Sequence, residues 1–477
     1  NLGNKMIKKL ILSSNFLFWT LFHVLLGAAS SISPYALIIW FYLVVISSFF
    51  VVLRLKSYFP FLVLISYLIS FELLARMSQT SPFIPYELGK YLLFFMLLVG
   101  IIKFGVRNKL GFVLVLLLLP SVFFDLSGEV DKGAIVFNLL GPLNVGLVVC
   151  FFYGRKLERS KFIKLLRISI LPLVSVLAST IFKTPSYTDL EFTLGANSAV
   201  SGGGGSNQIS TLLGVGMFLS FIFLINRWNL TGKRYLDFLL FFLFAFQGLL
   251  TFSRGGMIGG ILGILIVIFF ILVSNSAVKR RYNLPRLAKI FVMAVILMLF
   301  TFQVANNLSG GLLMLRYLGE TEGTLAGTKE KTLDSFTTGR VTIFTDDLEL
   351  WYDNFVFGVG AGASSYLREG SQFYLTHVEL SRLLSEHGVL GLVYFLILLY
   401  FLIKLTFSKK PPMEKGILLA FFIIALYTTF HAAMRTYLTP LFIGLSLLNL
   451  QLSSTTKKPA KKGTQAPQVK RLEPLFK

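Results

Sequence analysis

Between an apolar run ending at Val304 and another beginning at His387, residues 306–386 carry three polar signatures. They are Thr337-Thr338-Gly339-Arg340, Phe357-Gly358-Val359-Gly360-Ala361-Gly362 and Thr376-His377-Val378-Glu379-Leu380. Set against its flanks, this interval decides the fold. A connection of this length between membrane segments is uncommon unless it carries function. It reads as the catalytic lid of an enzyme working at the outer face of a membrane.

The rest of the chain is dominated by apolar side chains. Hydrophobic residues make up 55% of the 477 positions, charged ones only 14%, and there are 49 phenylalanines. Mean hydropathy is +0.75, more apolar surface than a soluble domain can hide. Apolar runs of roughly 17–22 residues recur from end to end, the length that crosses a bilayer as helix. The fold class is therefore an all-α polytopic membrane protein with about twelve to fourteen transmembrane helices and a large external loop containing short helices. Residues 1–304 are expected to hold helices one to eleven, and residues 305–386 the large loop. Residues 387–452 form the C-terminal spans and residues 453–477 a disordered basic cytoplasmic tail. The run after Lys5, Lys8 and Lys9 reads as a retained span.

The net charge of +23 would point to nucleic acid in a soluble protein. Here it has another explanation. With the N-terminus inside, the cytoplasmic connections collect Arg54/Lys56, Lys103/Arg107/Lys109, Arg155/Lys156/Arg159/Lys161, Arg227/Lys233/Arg234, Lys279/Arg280/Arg281/Arg286 and Lys409/Lys410/Lys415. Most acids fall on the other side. This is the positive-inside pattern, and it puts the 306–386 interval outside. Nucleic acid is not needed as a partner; membrane lipid is.

A single cysteine, Cys150, rules out an intramolecular disulfide. The histidines are dispersed at 23, 377, 387 and 431, so neither a metal centre nor a cofactor is expected. Walker A, GxSxG and HExxH patterns do not occur in the sequence.

Five positions on the outer side have chemistry to offer. Arg254 sits between two apolar runs, where a cation is costly unless an anion meets it, or else it snorkels to lipid phosphate. Arg340 follows Thr338, a plausible N-cap, and opens an amphipathic helix marked by Val341, Phe344, Leu348, Trp351 and Phe355. A cation at a helix N-terminus opposes the macrodipole unless an anion lies between; the alternative is a solvated arginine paired with Asp346 or Asp347. His377 begins a stretch in which Glu379, Arg382 and Glu386 form a salt-bridged, solvent-facing stripe. An imidazole in a water-exposed lid is a natural proton acceptor for a hydroxyl nucleophile. His431 and Arg435, four residues apart, could add to an anion site. Residues 358–362 read as a turn, and residues 201–206 as a flexible loop or linker.

Across residues 195–400 the chain resembles the O-antigen ligase/polymerase superfamily of bacterial envelope glycan assembly. The resemblance rests on Asn207-Gln208, Ser253-Arg254-Gly255, Gly339-Arg340, Gly358-Val359-Gly360, and His377 with Leu380 and Glu386-His387-Gly388-Val389-Leu390-Gly391. It implies a GT-C-like, metal-independent transferase of the bacterial inner membrane, with its active site facing the periplasm. Such an enzyme moves a glycan from an undecaprenyl-diphosphate carrier to an acceptor hydroxyl. Arg254 and Arg340 would hold the diphosphate, His377 would act on the acceptor, and Asn207, Arg382, His431 and Arg435 are accessory candidates. Ligases of the family commonly carry His-Asn, where Val378 follows His377 here. The implied partners are the lipid-linked glycan donor, a glycan or lipid A-core acceptor, and a chain-length regulator. A polymerase is the first reading and a ligase the second. A transporter of lipid-linked oligosaccharide is the reading from a different class; no internal repeat supports it, and Glu72 is the clearest acid within a span.

Overall fold

The computed structural model describes residues 16–54, 56–184, 193–195, 200–337, 339–368, 378–432, 434 and 436–452. His377, Arg435, Thr338 and the basic tail lie outside the described residues. An apolar chain in lipid must satisfy every backbone N–H and C=O internally, and a helix does so within one segment. The chain accordingly runs α1 (Phe16–Ile32), α2 (Pro34–Arg54), α3 (Tyr58–Met77), α4 (Leu88–Phe104), α5 (Leu110–Leu118), α6 (Lys132–Phe152), α7 (Arg159–Lys183), α8 (Ser206–Asn226) and α9 (Arg234–Leu250). It continues through α10 (Arg254–Leu272), α11 (Ser276–Tyr282), α12 (Leu284–Leu308), α13 (Leu312–Tyr317), α14 (Leu333–Thr337), α15 (Arg340–Asp353), α16 (Glu379–Thr406), α17 (Pro412–Thr428) and α18 (Leu438–Ser446). Among the described residues, eight helices are long and apolar enough to cross a membrane. Four more, α1, α4, α9 and α17, have 17 residues, the lower limit for a crossing. One feature outside the all-α expectation is a short parallel pair, β1 (Lys156–Glu158) against β2 (Asn449–Gln451).

The centre of the bundle is α8, buried along nearly its whole length. Helices α9 and α10 pack against it, and α17 packs on the far side of α10. The α8–α10 contact is close because α10 is glycine-rich: a Cβ on Gly256 would sit 2.1 Å from the backbone N of Thr211. Only backbone-to-backbone packing fits there. Helix α12 is the opposite case, turning Met293, Ile296, Leu299 and Phe300 outward as a lipid-facing surface does. The 21 residues of α8 span roughly 30 Å, so its two ends mark the two faces of the bundle. The first end meets the start of α10 and the end of α17.

Among its described residues, the large interval carries short helices. Helix α13 is held by a small separate core of Val200, Leu250, Phe252, Ala305 and Leu313, and α15 packs along α16. Helix α16 starts at Glu379 and bends at Gly388, whose φ of 61° and ψ of −139° break the helical run. The 358–362 segment is the expected turn: Gly358, Gly360 and Gly362 all have positive φ. Val359 N donates to Ser385 O at 2.8 Å, which fastens the turn to α16.

Three expectations are corrected. Glu379, Arg382 and Glu386 do not face solvent; each is 1% exposed. Arg382 donates to Glu386 at 2.8 Å and to Glu379, so the charges compensate one another inside the protein. The N-cap of α15 is Gly339 in the left-handed region (φ 80°) rather than Thr338. The glycine-rich stretch is part of the packed surface at its start, where Ser201 is buried and Gly202 lies against Met77.

Candidate active site at one end of the bundle

Arg254 is the first residue of α10, with Ser253 as its N-cap. The preceding turn is tight: Phe252, buried, adopts φ 57°, a left-handed conformation that costs a non-glycine residue roughly 1–2 kcal/mol. Such strain persists only where surrounding packing imposes it. Around Ser253, its Oγ donates to Asn207 Oδ1 at 2.8 Å, and Ser210 Oγ donates to its carbonyl at 3.0 Å. Asn207 thus acts on the turn that sets Arg254.

The half-buried Arg254 side chain reaches into the large loop. Nη1 donates to Arg316 O at 2.9 Å and Nη2 to Phe336 O at 2.5 Å. Its guanidinium lies 4.7 Å from the Phe336 ring centre. Arg340, opening α15, donates from Nη1 to Thr337 O at 2.6 Å. Arg254 and Arg340, 86 positions apart by their numbers, therefore both donate to adjacent carbonyls, Phe336 O and Thr337 O, at the C-terminal end of one short helix, α14.

A third arginine joins them. Arg316 on α13 is buried, and its Nε has no hydrogen-bond partner. Burial first, then the charges of Arg254 and Arg340, push its guanidinium down to about 10. Arg340 is lowered as well, by burial first and in part by Arg254, while Tyr427 acts in the other direction. Among the described residues neither Arg254 nor Arg316 forms an ion pair with a carboxylate. Like charges gathered in a partly desolvated place cost free energy unless an anion meets them.

His431 stands beside this cluster. A Cβ on Gly255 would lie 2.7 Å from its ring, so only glycine allows the imidazole so close to Arg254. Nε2 is 2.9 Å from Thr211 Oγ1 and Nδ1 is 3.1 Å from Tyr427 O. The Tyr427 carbonyl can only accept, so Nδ1 carries the proton of that contact, and Thr211 Oγ1 also lies 2.6 Å from Asn207 O, to which it donates. With both nitrogens engaged, His431 is a positioning residue for the arginine turn.

Arg382 belongs to a different group. Its guanidinium is enclosed by Glu379, Glu386 and Asn138 O, and Glu379 also accepts from Met434 N at 2.8 Å. Alongside, Arg368 donates to Asp347 Oδ1 through Nε at 3.0 Å and Nη2 at 2.8 Å, and Ser381 donates to Asp347 Oδ2 at 2.6 Å. Asp347 thus pairs with Arg368 rather than with Arg340. This network fastens both flanks of 369–377, the interval that contains His377. Beyond it Val378 is buried and Glu379 N donates to Thr429 O at 2.8 Å, two residues before His431. Sequence offers Asp347 only as a partner for Arg340, and does not single out Arg316 or Arg368. The signal for Arg316 is its place directly after the apolar Leu312-Leu313-Met314-Leu315.

What these features define is a polytopic helical membrane protein with an arginine cluster where one end of the bundle meets the large loop. Residues 238–396 match the family model described as O-antigen ligase, which supports the resemblance to the O-antigen ligase/polymerase superfamily. The matched region, about a third of the chain, contains Arg254, Arg316 and Arg340, while Asn207 and His431 fall outside it. No curated protein matches the chain.

Proposed function

We propose that the chain is a membrane glycosyltransferase moving a glycan from an undecaprenyl-diphosphate carrier to an acceptor sugar hydroxyl at the periplasmic face of the bacterial inner membrane. The product would be a lengthened polysaccharide, as an O-antigen, capsule or exopolysaccharide polymerase makes. The observation that carries this reading is the convergence of Arg254, Arg316 and Arg340 from three separate elements. In the transfer the bond from the anomeric carbon to the carrier diphosphate breaks and a bond to the acceptor oxygen forms. Negative charge grows on the departing diphosphate, and fixed guanidiniums in a partly desolvated place stabilise it. They take the part a divalent cation plays elsewhere, which makes the proposed chemistry metal-independent. The acceptor hydroxyl gives up its proton to a base, the role assigned to His377; general-base help of this kind is worth about 10²–10⁴-fold. That role needs neutral imidazole, so activity should fall in acid.

The second reading, a ligase transferring finished glycan to lipid A-core or protein, is favoured by the description of the matching family. One experiment addresses both. Purified protein is incubated with the lipid-linked repeat unit alone. A ladder of longer lipid-linked products supports the polymerase. Product only after a core acceptor is added supports the ligase. No transfer with either acceptor, from protein shown to be folded, would overturn the glycosyltransferase reading.

A further inference from the structure

At the end of α8 remote from the arginine cluster, a cavity of about 230 Å³ opens among α7, α8, α11 and α17. Its walls include Arg159, Arg227, Trp228, Tyr282, Pro411 and Glu414. Arg227 and Arg159 are exposed, and neither forms an ion pair among the described residues. Arg227 caps the C-terminus of α8 in a left-handed conformation, φ 55°. A cation there complements the helix macrodipole. Glu414 is buried, and its Oε1 accepts from Leu452 N at 2.7 Å, so one carboxylate faces two guanidiniums. Lys279, Arg280 and Lys410 stand on the connections at this same end. Tyr282 donates its hydroxyl to Asn226 Oδ1 at 3.1 Å, and Trp228 is buried beside it. Tyrosine and tryptophan at a membrane boundary sit at headgroup depth.

We propose that this cavity binds the phosphate headgroup of an anionic glycerophospholipid of the inner leaflet. The charge asymmetry of the connections puts this end of the bundle on the cytoplasmic side, where such lipids are available. Two arginines present paired N–H donors to phosphate oxygens. The inference is independent of glycan transfer, since the site lies at the opposite end of α8.

The test uses the full chain in nanodiscs of neutral phosphatidylcholine doped with photoactivatable phosphatidylglycerol, with adducts mapped by mass spectrometry. Adducts should concentrate on the start of α7, on α11 and on the start of α17. Occupancy should fall roughly fivefold for Arg159→Ala or Arg227→Ala and about thirtyfold for both together. Circular dichroism and a monodisperse elution profile report on folding of the variants. If the double variant does not fold, the adduct map on the natural chain decides. Adducts spread evenly around the bundle, or undiminished in folded variants, would overturn the proposal. So would full displacement by millimolar glycerol phosphate, since the site would then take a soluble anion rather than a lipid.

Discussion

The guanidinium of Arg254 donates to the carbonyl of Arg316 at 2.9 Å although 62 residues separate them. This contact ties the start of a membrane helix to a short helix of the large loop. Like charges also gather here: Arg254 and Arg340 both act on Arg316, and Arg254 acts on Arg340. Like charges held this way cost the protein free energy, which the anion proposed for this site would offset.

Arg316→Gln keeps hydrogen-bonding capacity and removes a repelling charge. Thermal unfolding of the variant without ligand should be unchanged or shifted upward, while glycan transfer falls by about 10²-fold, the loss expected for one preorganised donor. A variant that loses stability and keeps its activity would show that Arg316 is structural.

Arg254→Lys retains charge and loses the fork of donors that reaches both Arg316 O and Phe336 O. Because one ammonium cannot copy that geometry, transfer should drop at least about tenfold with little change in melting temperature. Equal rates for lysine and arginine would mean that charge alone matters.

Gly255→Ala places a methyl 2.7 Å from the His431 ring. Overpacking should cost roughly 1–3 kcal/mol and disturb Arg254 next to it. Combining it with His431→Ala should recover much of the loss, a coupling that a double-mutant cycle on stability and transfer would measure. Simple additivity would separate the glycine from the histidine.

Asp347→Ala leaves Arg368 buried without its partner. Removing one member of a buried pair typically costs about 3–5 kcal/mol, read as a large fall in melting temperature. Asp347→Leu with Arg368→Met should be milder than either single change.

The membrane fold was legible because lipid imposes long apolar runs on any crossing segment, and the placement of charge followed from the same runs. Arg254 and Arg340 were legible because each interrupts a pattern, one an apolar run and the other a helix start. Arg316 was not singled out, because its approach to the other two depends on how α13 docks on Phe252 and Ala305. Glu379, Arg382 and Glu386 have the spacing of a solvated stripe, and spacing alone does not say which face is buried. Their burial follows from the turn at 358–362 and from Asn138 closing over them. The β1–β2 pair joins segments almost 300 residues apart by their numbers and carries no periodic signal of its own.

The most direct measurement is a titration of purified protein in nanodiscs with undecaprenyl diphosphate lacking sugar, followed by thermal unfolding. The natural chain should be stabilised in a saturable way, by about 2.7 kcal/mol at a hundred times the dissociation constant. Arg316→Ala and Arg340→Ala should lose most of that shift. The same shift in the natural chain and in both variants would contradict a diphosphate site built from these arginines.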